Sequence, residues 1–465
     1  MAVGRESSLI ERLGAADLML VWPEAMGWPQ DIGALAILDG GSLVDADGHF
    51  PIEAVREHIG RRLHLVPRFR QLLYWPRVGL GWPLWVDAPS FDIAKHVGVF
   101  PVAPPGTETQ LLLACEELRR RPLKRSRPLW EMWFLPGLPE GRVGLFMRLH
   151  HAIADGVAGV AVLGAFADTV AEPREATAPA WIPASVPSRR TLLADNVRRR
   201  LQGTGHTLSA LAEPSNTVRR VQQGWPALRE IFGEGRAPRT SFNRRIGSDR
   251  RLAVIRSNLD LVKDIAHAHR ATINDVLLTA VAGGYRTLLR SRGERVSGVV
   301  LRAFVPVSLH QEQPGKARGN VDAGMVVPLP IGESDEVRRL ERIAADSAER
   351  KKKRRPPAGS IFRSVFLQRA FLRLMPRQRL MNAYVANVPG SPVALYFARS
   401  SVLELFPLVP ITGNISIGVG ALSYAGRFNI TVVADRELCP DLEAFVEGVN
   451  RSLDALGQSV LVRAS

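Results

Sequence analysis

The sequence predicts an α/β protein made of two domains, and three observations lead to that prediction. The chain has 465 residues, more than one hydrophobic core usually organises. Residues 142–149 alternate apolar and other side chains with a period of two, which predicts a half-buried strand, and the small apolar run 157–166 is typical of a helix packed on a sheet. The same alternation of strand and helix restarts at residues 251–289.

The first half of the chain shows the following elements in order. A helix is expected near 9–21, a strand at 32–38 that ends in the turn Asp39-Gly-Gly41, a helix at 51–65, strand and loop at 71–86, and a helix at 107–120.

The second half is expected to hold strands at 251–257 and 299–309, helices at 259–269, 271–289 and 361–375, and closing strands at 413–417, 422–426 and 428–433. Between the halves, residues 171–239 are rich in proline and arginine and have weak periodicity, with helical pieces such as 192–201. We therefore expect domains at 1–170 and 241–465, joined by a crossover linker at 171–240. The basic runs of this linker are either solvated or in contact with anionic lipid.

Composition limits the partners and the compartment. The formal net charge of +16 calls for an acidic partner such as nucleic acid, an anionic membrane surface or a phosphate-rich cofactor. No nucleic-acid-binding module is recognisable, so nucleic acid is not expected. Cys115 and Cys439 have no framework spacing, which favours a reduced, cytoplasmic protein. Neither a secretory signal nor a run of eighteen apolar residues is visible.

The strand-to-helix connection at 150–156 holds the most reactive group of residues. His150, His151, Asp155 and Gly156 lie where an α/β scaffold can aim a side chain into a cleft. A neutral imidazole at that position can accept a proton near pH 7. The same residues could instead form a hydrogen-bonded turn, or part of a metal site with Asp155. Two ligands are too few for zinc, and no Cys or His cluster elsewhere adds more.

The longer string His150-His-Ala-Ile-Ala-Asp-Gly156 resembles the His-His-x-x-x-Asp-Gly motif of CoA-dependent acyltransferases, a group that includes chloramphenicol acetyltransferase and peptide-synthetase condensation domains. The upstream string Pro122-Leu-Lys-Arg-Ser-Arg-Pro-Leu-Trp-Glu131 resembles bacterial wax ester synthase/diacylglycerol acyltransferases, which usually have Asp where this chain has Lys124. Further similar strings begin at Asn274, Val305 and Asn387. The resemblance therefore covers nearly the whole chain.

This resemblance implies two chloramphenicol-acetyltransferase-like domains with a channel between them and His151 at its centre. It implies that His151 is the general base that activates a hydroxyl, that Asp155 orients the loop through an Arg partner, and that His150 and Gly156 support it. Acyl-CoA would be the co-substrate, diacylglycerol or a long-chain alcohol the acceptor, and neither a bound cofactor nor a metal is implied. Pro128, Leu129 and Trp130 belong to the upstream string 122–131, and Trp130 either packs in the core or contacts substrate.

Asn274 and Asp275 have two interpretations. Thr272 with Asp275 three residues later predicts a helix capping box, which explains Asp275 completely. The resemblance instead makes both residues candidates for a second catalytic motif, with Asn274 as a donor to the oxyanion. Both roles can coexist at a helix N-terminus.

Six consecutive cations at 350–355 precede a helix candidate that is rich in phenylalanine and arginine. This run includes Lys351, Lys352, Lys353, Arg354 and Arg355, and it suits either an anionic surface or an exposed loop. The first alternative predicts a peripheral protein at the inner face of the membrane or on lipid droplets.

Three functions remain open at this point. The first is an acyl-CoA-dependent O-acyltransferase that makes triacylglycerol or wax esters. The second is an acyltransferase that takes its acyl group from a carrier protein to build a complex surface lipid. The third is a lipid-binding protein without activity, which would have no need of a base at His151.

Overall fold

A computed structural model of the chain describes residues 10–44, 49–153, 162, 164–172, 179–212, 235–308, 322–352 and 365–464. Within them the chain forms two six-stranded sheets with helices packed on them, the α/β architecture that was predicted. The helices are α1 Ala15–Val21, α2 Ile52–Arg62, α3 Glu108–Arg120, α4 Arg189–Ala212, α5 Leu259–Ala268, α6 Ile273–Ser291, α7 Glu336–Lys351, α8 Val365–Leu374 and α9 Leu442–Ala464. None of these described helices is long and apolar enough to cross a membrane.

The strands are β1 Asp31–Leu38, β2 Gln71–Tyr74, β3 Leu84–Asp87, β4 Val97–Val99, β5 Trp130–Leu135, β6 Val143–His150, β7 Arg250–Asn258, β8 Leu301–Ser308, β9 Asp322–Leu329, β10 Ala383–Pro389, β11 Tyr396–Phe397, β12 Ser400–Leu408, β13 Ile417–Tyr424 and β14 Arg427–Asp435. Strands β2 and β3 form a separate antiparallel hairpin.

The first sheet has the strand order β11-β12-β1-β6-β5-β4. Strand β1 pairs antiparallel with β6 on one side and with β12 on the other. Residues 396–408 therefore complete the first sheet, although the sequence-based division assigned everything after residue 240 to the second domain. The Tyr424 hydroxyl donates to the Val402 carbonyl at 2.8 Å, which ties β12 to the second sheet.

The second sheet has the order β7-β14-β13-β10-β8-β9, and α6 and α9 pack together within its core. The close approach of these helices requires glycine. A Cβ on Gly283 would lie 2.7 Å from Ser452 Cβ, and one on Gly284 would lie 2.7 Å from Val449 Cγ2.

Strand β6 is buried along its whole length, so the prediction of a half-buried strand was wrong. One face packs with Trp130 and Met132, and the other, through Phe146, packs against Leu118 of α3. The alternation of side-chain type indicates that successive side chains point to opposite faces of the strand. It does not show whether each face meets water or a second layer.

Other element boundaries in the structure also differ from the predicted ones. The strand expected at 413–417 begins only at Ile417, because Gly413 has φ +70° and belongs to the preceding turn. The first helix starts at Ala15, after Arg12 has formed a β-bridge with Leu84. The helical piece expected at 192–201 is part of the 24-residue helix α4.

Candidate active site

His151 follows directly after the last residue of β6, an interior strand of the first sheet. The register pairs His150 with Asp31 of β1, so β6 runs to its end against a neighbouring strand. The His151 backbone N–H donates to the Gln30 carbonyl at 2.9 Å, and the residue is only 9% exposed. The strand therefore fixes the His151 backbone, and the side chain is buried.

His150 is held by a hydrogen bond at Nδ1 and faces a carboxylate through Nε2. The Ala152 backbone N–H donates to His150 Nδ1 at 3.0 Å, so Nδ1 accepts and Nε2 carries the hydrogen. Nε2 faces the Glu24 carboxylate, with 3.1 Å between Nε2 and Oε1. Because the Ile153 N–H also donates to the His150 carbonyl at 2.8 Å, His150 fixes the first turn of the loop.

Glu24 is a residue that sequence reasoning missed. It lies in the 3₁₀ helix Trp22–Met26 and accepts a hydrogen bond from Arg125 Nη2 at 2.8 Å as well as facing His150. Burial pushes the pKa of Glu24 upward, but the neighbouring His150 imidazole and Arg125 guanidinium outweigh it and lower the pKa below its usual value. The carboxylate is therefore ionised at neutral pH. The only sequence signal for Glu24 is Arg125, a cation of the 122–131 string that would be expected to pair with a carboxylate.

The segment 122–131 forms one wall behind the His loop. The Leu129 carbonyl accepts the His150 backbone N–H at 2.9 Å. Pro128 and Leu129 are buried, and Trp130 is fully buried, with its Nε1–H donating to the Phe69 carbonyl at 2.8 Å. Trp130 thus packs in the core of the first sheet, as one of its two interpretations expects. Lys124, by contrast, is exposed.

An aromatic stack fixes Trp130. Its ring lies 4.4 Å from the Phe69 ring and 4.6 Å from the His96 imidazole, between centroids. Burial lowers the pKa of His96 to about 4, so this imidazole is neutral at physiological pH.

A buried charge network joins the strands beneath the loop. Arg148 of β6, 1% exposed, contacts Asp31 at 3.1 Å and Glu131 at 2.8 Å. Burial is the largest single influence and raises the pKa of Glu131, but the Arg148 guanidinium, the Trp133 N–H and Arg127 together outweigh it and lower the pKa. Buried charges paired in this way fix the relative positions of β1, β5 and β6, because separating them would leave a charge without compensation.

Several predicted residues lie outside the described residues: Asp155, Gly156, Lys353, Arg354 and Arg355. The expected pairing of Asp155 with an Arg is therefore untested. Lys351 is exposed at the end of α7, and Lys352, also exposed, forms an ion pair with Glu349 at 2.5 Å. In the described ranges, no three His, Cys, Asp or Glu side chains are grouped as a metal site.

Asn274 and Asp275 lie in the first turn of α6, which packs on the second sheet. The predicted capping box is present: Thr272 N–H and Oγ1–H donate to Asp275 Oδ2 at 2.9 and 2.6 Å, and Asp275 N–H donates to Thr272 Oγ1 at 3.3 Å. Asn274 is half-buried beside it. The capping role of Asp275 is thus confirmed, whereas the catalytic roles of Asn274 and Asp275 stay predictions.

A pair of substitutions tests the capping box. Thr272→Ala and Asp275→Ala should each lower the free energy of unfolding by about 1 kcal/mol, because each removes one half of the reciprocal pair. Both should leave activity per folded molecule near that of the parent. Melting curves beside a turnover assay would measure this. A large loss of turnover in Asp275→Ala at unchanged stability would contradict it.

A groove of about 670 Å³ lies elsewhere, between α3, β7 and α9. Its walls include Leu112, Leu252 and Val446, and neither His151 nor Asn274 lines it. This groove is therefore separate from the His loop.

Two family profiles match this chain, and together they span most of its length. The profile of the wax ester synthase/diacylglycerol acyltransferase catalytic domain matches residues 13–277, more than half of the chain. The chain belongs to this family. The family's C-terminal domain matches residues 318–457.

Relatives and solved structures agree with this family assignment. A probable diacylglycerol O-acyltransferase of Mycobacterium tuberculosis is 28% identical over 450 residues, which cover 93% of this chain and 91% of that protein. A putative diacylglycerol O-acyltransferase of Mycobacterium bovis matches over the same shares. The wax ester synthase/diacylglycerol acyltransferase of Marinobacter aquaeolei VT8 superposes with a TM-score of 0.70 at 19% identity, covering 97% of this chain and 100% of that one.

The starter condensation domain of rhizomide synthetase has the same fold, with a TM-score of 0.61 at 15% identity over 98% of this chain and 95% of that one. The fold is therefore the two-domain chloramphenicol-acetyltransferase type that the motifs implied. As a member of the wax ester synthase/diacylglycerol acyltransferase family, the protein is an acyltransferase with acyl-CoA as co-substrate.

Proposed function

We propose that this enzyme transfers the acyl group of acyl-CoA to the free hydroxyl of diacylglycerol, giving triacylglycerol and CoA. The names of the mycobacterial relatives support diacylglycerol as the acceptor, and the family also supports long-chain alcohols, which would give wax esters. The observation that carries the proposal is the buried His151 at the end of β6, within the family's motif.

His151 acts as the general base in this proposal. Its imidazole takes the hydroxyl proton while the oxygen attacks the thioester carbonyl carbon, forming the C–O bond. The tetrahedral intermediate then collapses, the C–S bond breaks, and the proton passes from the imidazolium to the departing CoA sulfur. Thiolate is a good leaving group, so a covalent acyl-enzyme is not required. The expected channel between the domains would bring both substrates to this imidazole.

The oxyanion needs a donor from outside the first turn of the loop. The backbone N–H groups of residues 151, 152 and 153 already donate, to Gln30, His150 Nδ1 and the His150 carbonyl. Asn274 is the candidate that the resemblance supplies, at a helix N-terminus where negative charge is favoured. Asp155 is proposed to orient the loop rather than to react.

Glu24 and His150 are proposed to position the loop that bears His151. The chain of contacts runs from Arg125 through Glu24 and His150 to the Ala152 N–H. Each contact limits the rotation of the next, so the turn beneath His151 has one geometry. Residues that hold a catalytic group in position act mainly on turnover, since small misplacements raise the barrier.

Replacing Glu24 tests this positioning role. Glu24→Ala should lower kcat about 10-fold with a nearly unchanged KM for acyl-CoA, because the loop loses its anchor while the binding surface stays. Glu24→Gln keeps an acceptor oxygen for His150 and should restore most of the turnover. Glu11→Ala is the matched control, since Glu11 pairs with Arg68 at the surface. Wild-type kcat in Glu24→Ala would contradict the proposed role.

Lys351–Arg355 is proposed as one contact with an anionic surface, either the inner face of the membrane or a lipid droplet. Lys351 and Lys352 are exposed at the end of α7, as such a contact requires. Neutralising the five cations with glutamine should weaken binding to anionic vesicles, and wild-type binding should fall with salt because exposed charges are screened. Vesicle co-sedimentation measures both effects. Salt-independent binding that survives the substitutions would refute this anchor.

One assay tests the proposed reaction and its alternatives together. The purified protein is incubated with labelled palmitoyl-CoA and, in separate reactions, diacylglycerol, hexadecanol or a short alcohol, and neutral lipids are separated. Labelled triacylglycerol is the expected main product. Transfer only from a carrier-bound thioester would favour the second function, and lipid binding without any transfer would favour the third.

A further inference from the structure

The outward face of α4 exposes a row of aliphatic side chains. Leu193 and Val197, four residues apart and so on one side of the helix, are 49% and 47% exposed, and Leu201 extends the row at 67%. Single exposed apolar residues are common on soluble proteins, but a row along a helix marks an interaction surface.

Cations flank this row. Arg190 and Arg200 are exposed and project beside the aliphatic side chains at 100° per residue. Across the described part of the chain, no carboxylate forms an ion pair with either guanidinium. The face thus combines apolar area with uncompensated positive charge.

The opposite side of α4 is firmly attached, which fixes the direction of the exposed face. Leu192 is buried against Leu84 and Val86 of β3. Asp195 forms an ion pair with Arg12 at 2.6 Å, and Asn196 donates to the Gly79 carbonyl at 2.7 Å.

The tip of the β2–β3 hairpin lies beside the same helix. Val78 is fully exposed and Trp82 is 37% exposed, on either side of the Gly79 that Asn196 contacts. An aromatic residue of this kind suits the boundary between water and lipid, where its ring meets apolar chains and its N–H meets water.

The hairpin also connects this surface to the His loop. On one hairpin face, Leu73 and Trp85 pack in a cluster with Ala152, next to His151. On the other face, Leu84 and Val86 pack with Leu192 of α4. A single layer of hairpin therefore separates α4 from the loop that carries the proposed base.

We propose that the α4 face, defined by Arg190, Leu193, Val197, Arg200 and Leu201, docks onto an anionic lipid surface. The aliphatic side chains would enter the acyl boundary while the guanidinium groups bind lipid phosphates. The lipid partner agrees with the proposed function, because diacylglycerol dissolves in the bilayer, but the docking itself does not depend on which acceptor is used. This surface is distinct from the Lys351–Arg355 run.

The test compares two double variants with the same added charge. Leu193→Glu/Val197→Glu alters the α4 face, whereas Val300→Glu/Leu461→Glu alters exposed aliphatic residues elsewhere. Co-sedimentation with phosphatidylcholine/phosphatidylglycerol vesicles should show binding about tenfold weaker or more for the first variant, because apolar area can no longer leave water. The control should bind like the wild type. Arg190→Gln/Arg200→Gln should bind more weakly than the wild type to the anionic vesicles and equally to pure phosphatidylcholine.

Measurements of melting temperature and turnover distinguish a loss of docking from damage to the fold and from failure of the catalytic proposal. The α4 variant should keep the parental melting temperature and its activity with a water-soluble short alcohol, and should lose activity with vesicle-borne acceptor. Binding that equals the wild type, or an equal loss in the control, would overturn the proposal. A lowered melting temperature with intact vesicle binding would show that the face is covered by the chain itself. A changed oligomeric state with intact vesicle binding would show that a second copy covers it, and either result would overturn lipid docking.

Discussion

Replacing His151 with alanine should lower turnover by about 10²–10⁴-fold, the range that a general base contributes. The alcohol is a weak nucleophile until its proton is removed. The adjacent imidazole of His150 contacts the Ala152 N–H and Glu24 instead. Expression and melting temperature should stay close to those of the parent, because β6 and its hydrogen bonds are formed by backbone atoms. Steady-state acyl transfer with both substrates in excess measures the loss.

His150→Ala is the internal comparison for that experiment. His150 supports the loop through the Ala152 N–H and Glu24, so its loss should cost much less turnover than the loss of His151 and should also lower stability. Equal activity in the wild type and His151→Ala would contradict the mechanism. A larger loss of turnover in His150→Ala than in His151→Ala would show that His150 is the base and His151 the supporting residue.

Replacing Asn274 with alanine should lower kcat by about 10²-fold or more while the melting temperature hardly changes, because a lost oxyanion donor acts on the transition state. Thr272→Ala and Asp275→Ala, in the adjacent capping box, are the comparison, since they should lower stability and leave kcat nearly unchanged. Asn274→Asp should be at least as inactive as the alanine variant, because a carboxylate would repel the developing charge. Wild-type turnover in Asn274→Ala would make the second motif structural and place the donor elsewhere.

Much of the fold could be predicted because it depends on local patterns. The strands around 32–38 and 251–257 and the helix around 273–289 follow from periodicity and from the Thr272 cap. The joining of β12 to β1 could not be predicted in this way. It depends on pairing between residues about 370 positions apart, and nothing in either strand alone specifies its partner.

Only the part of the candidate site that lies in a contiguous stretch of sequence could be predicted. His150 and His151 belong to a contiguous string, so their place at a strand end followed from the sequence. Glu24 lies 126 residues away from its partner His150, in a stretch without a motif. Asp31 similarly reaches Arg148 only through the pairing of β1 with β6. Contacts of this kind become visible only when the sheet is assembled.

In the proposed reaction this family member acylates diacylglycerol with His151 as the base. The most direct measurement is a single-turnover reaction of enzyme in excess over labelled acyl-CoA in diacylglycerol vesicles, run side by side for the wild type and a folded His151→Ala variant. The wild type should release one CoA for each labelled triacylglycerol formed, and the variant should form both at least about 10²-fold more slowly. Triacylglycerol formed at the same rate by both proteins, or CoA released without any acylated lipid, would contradict this reaction and its base.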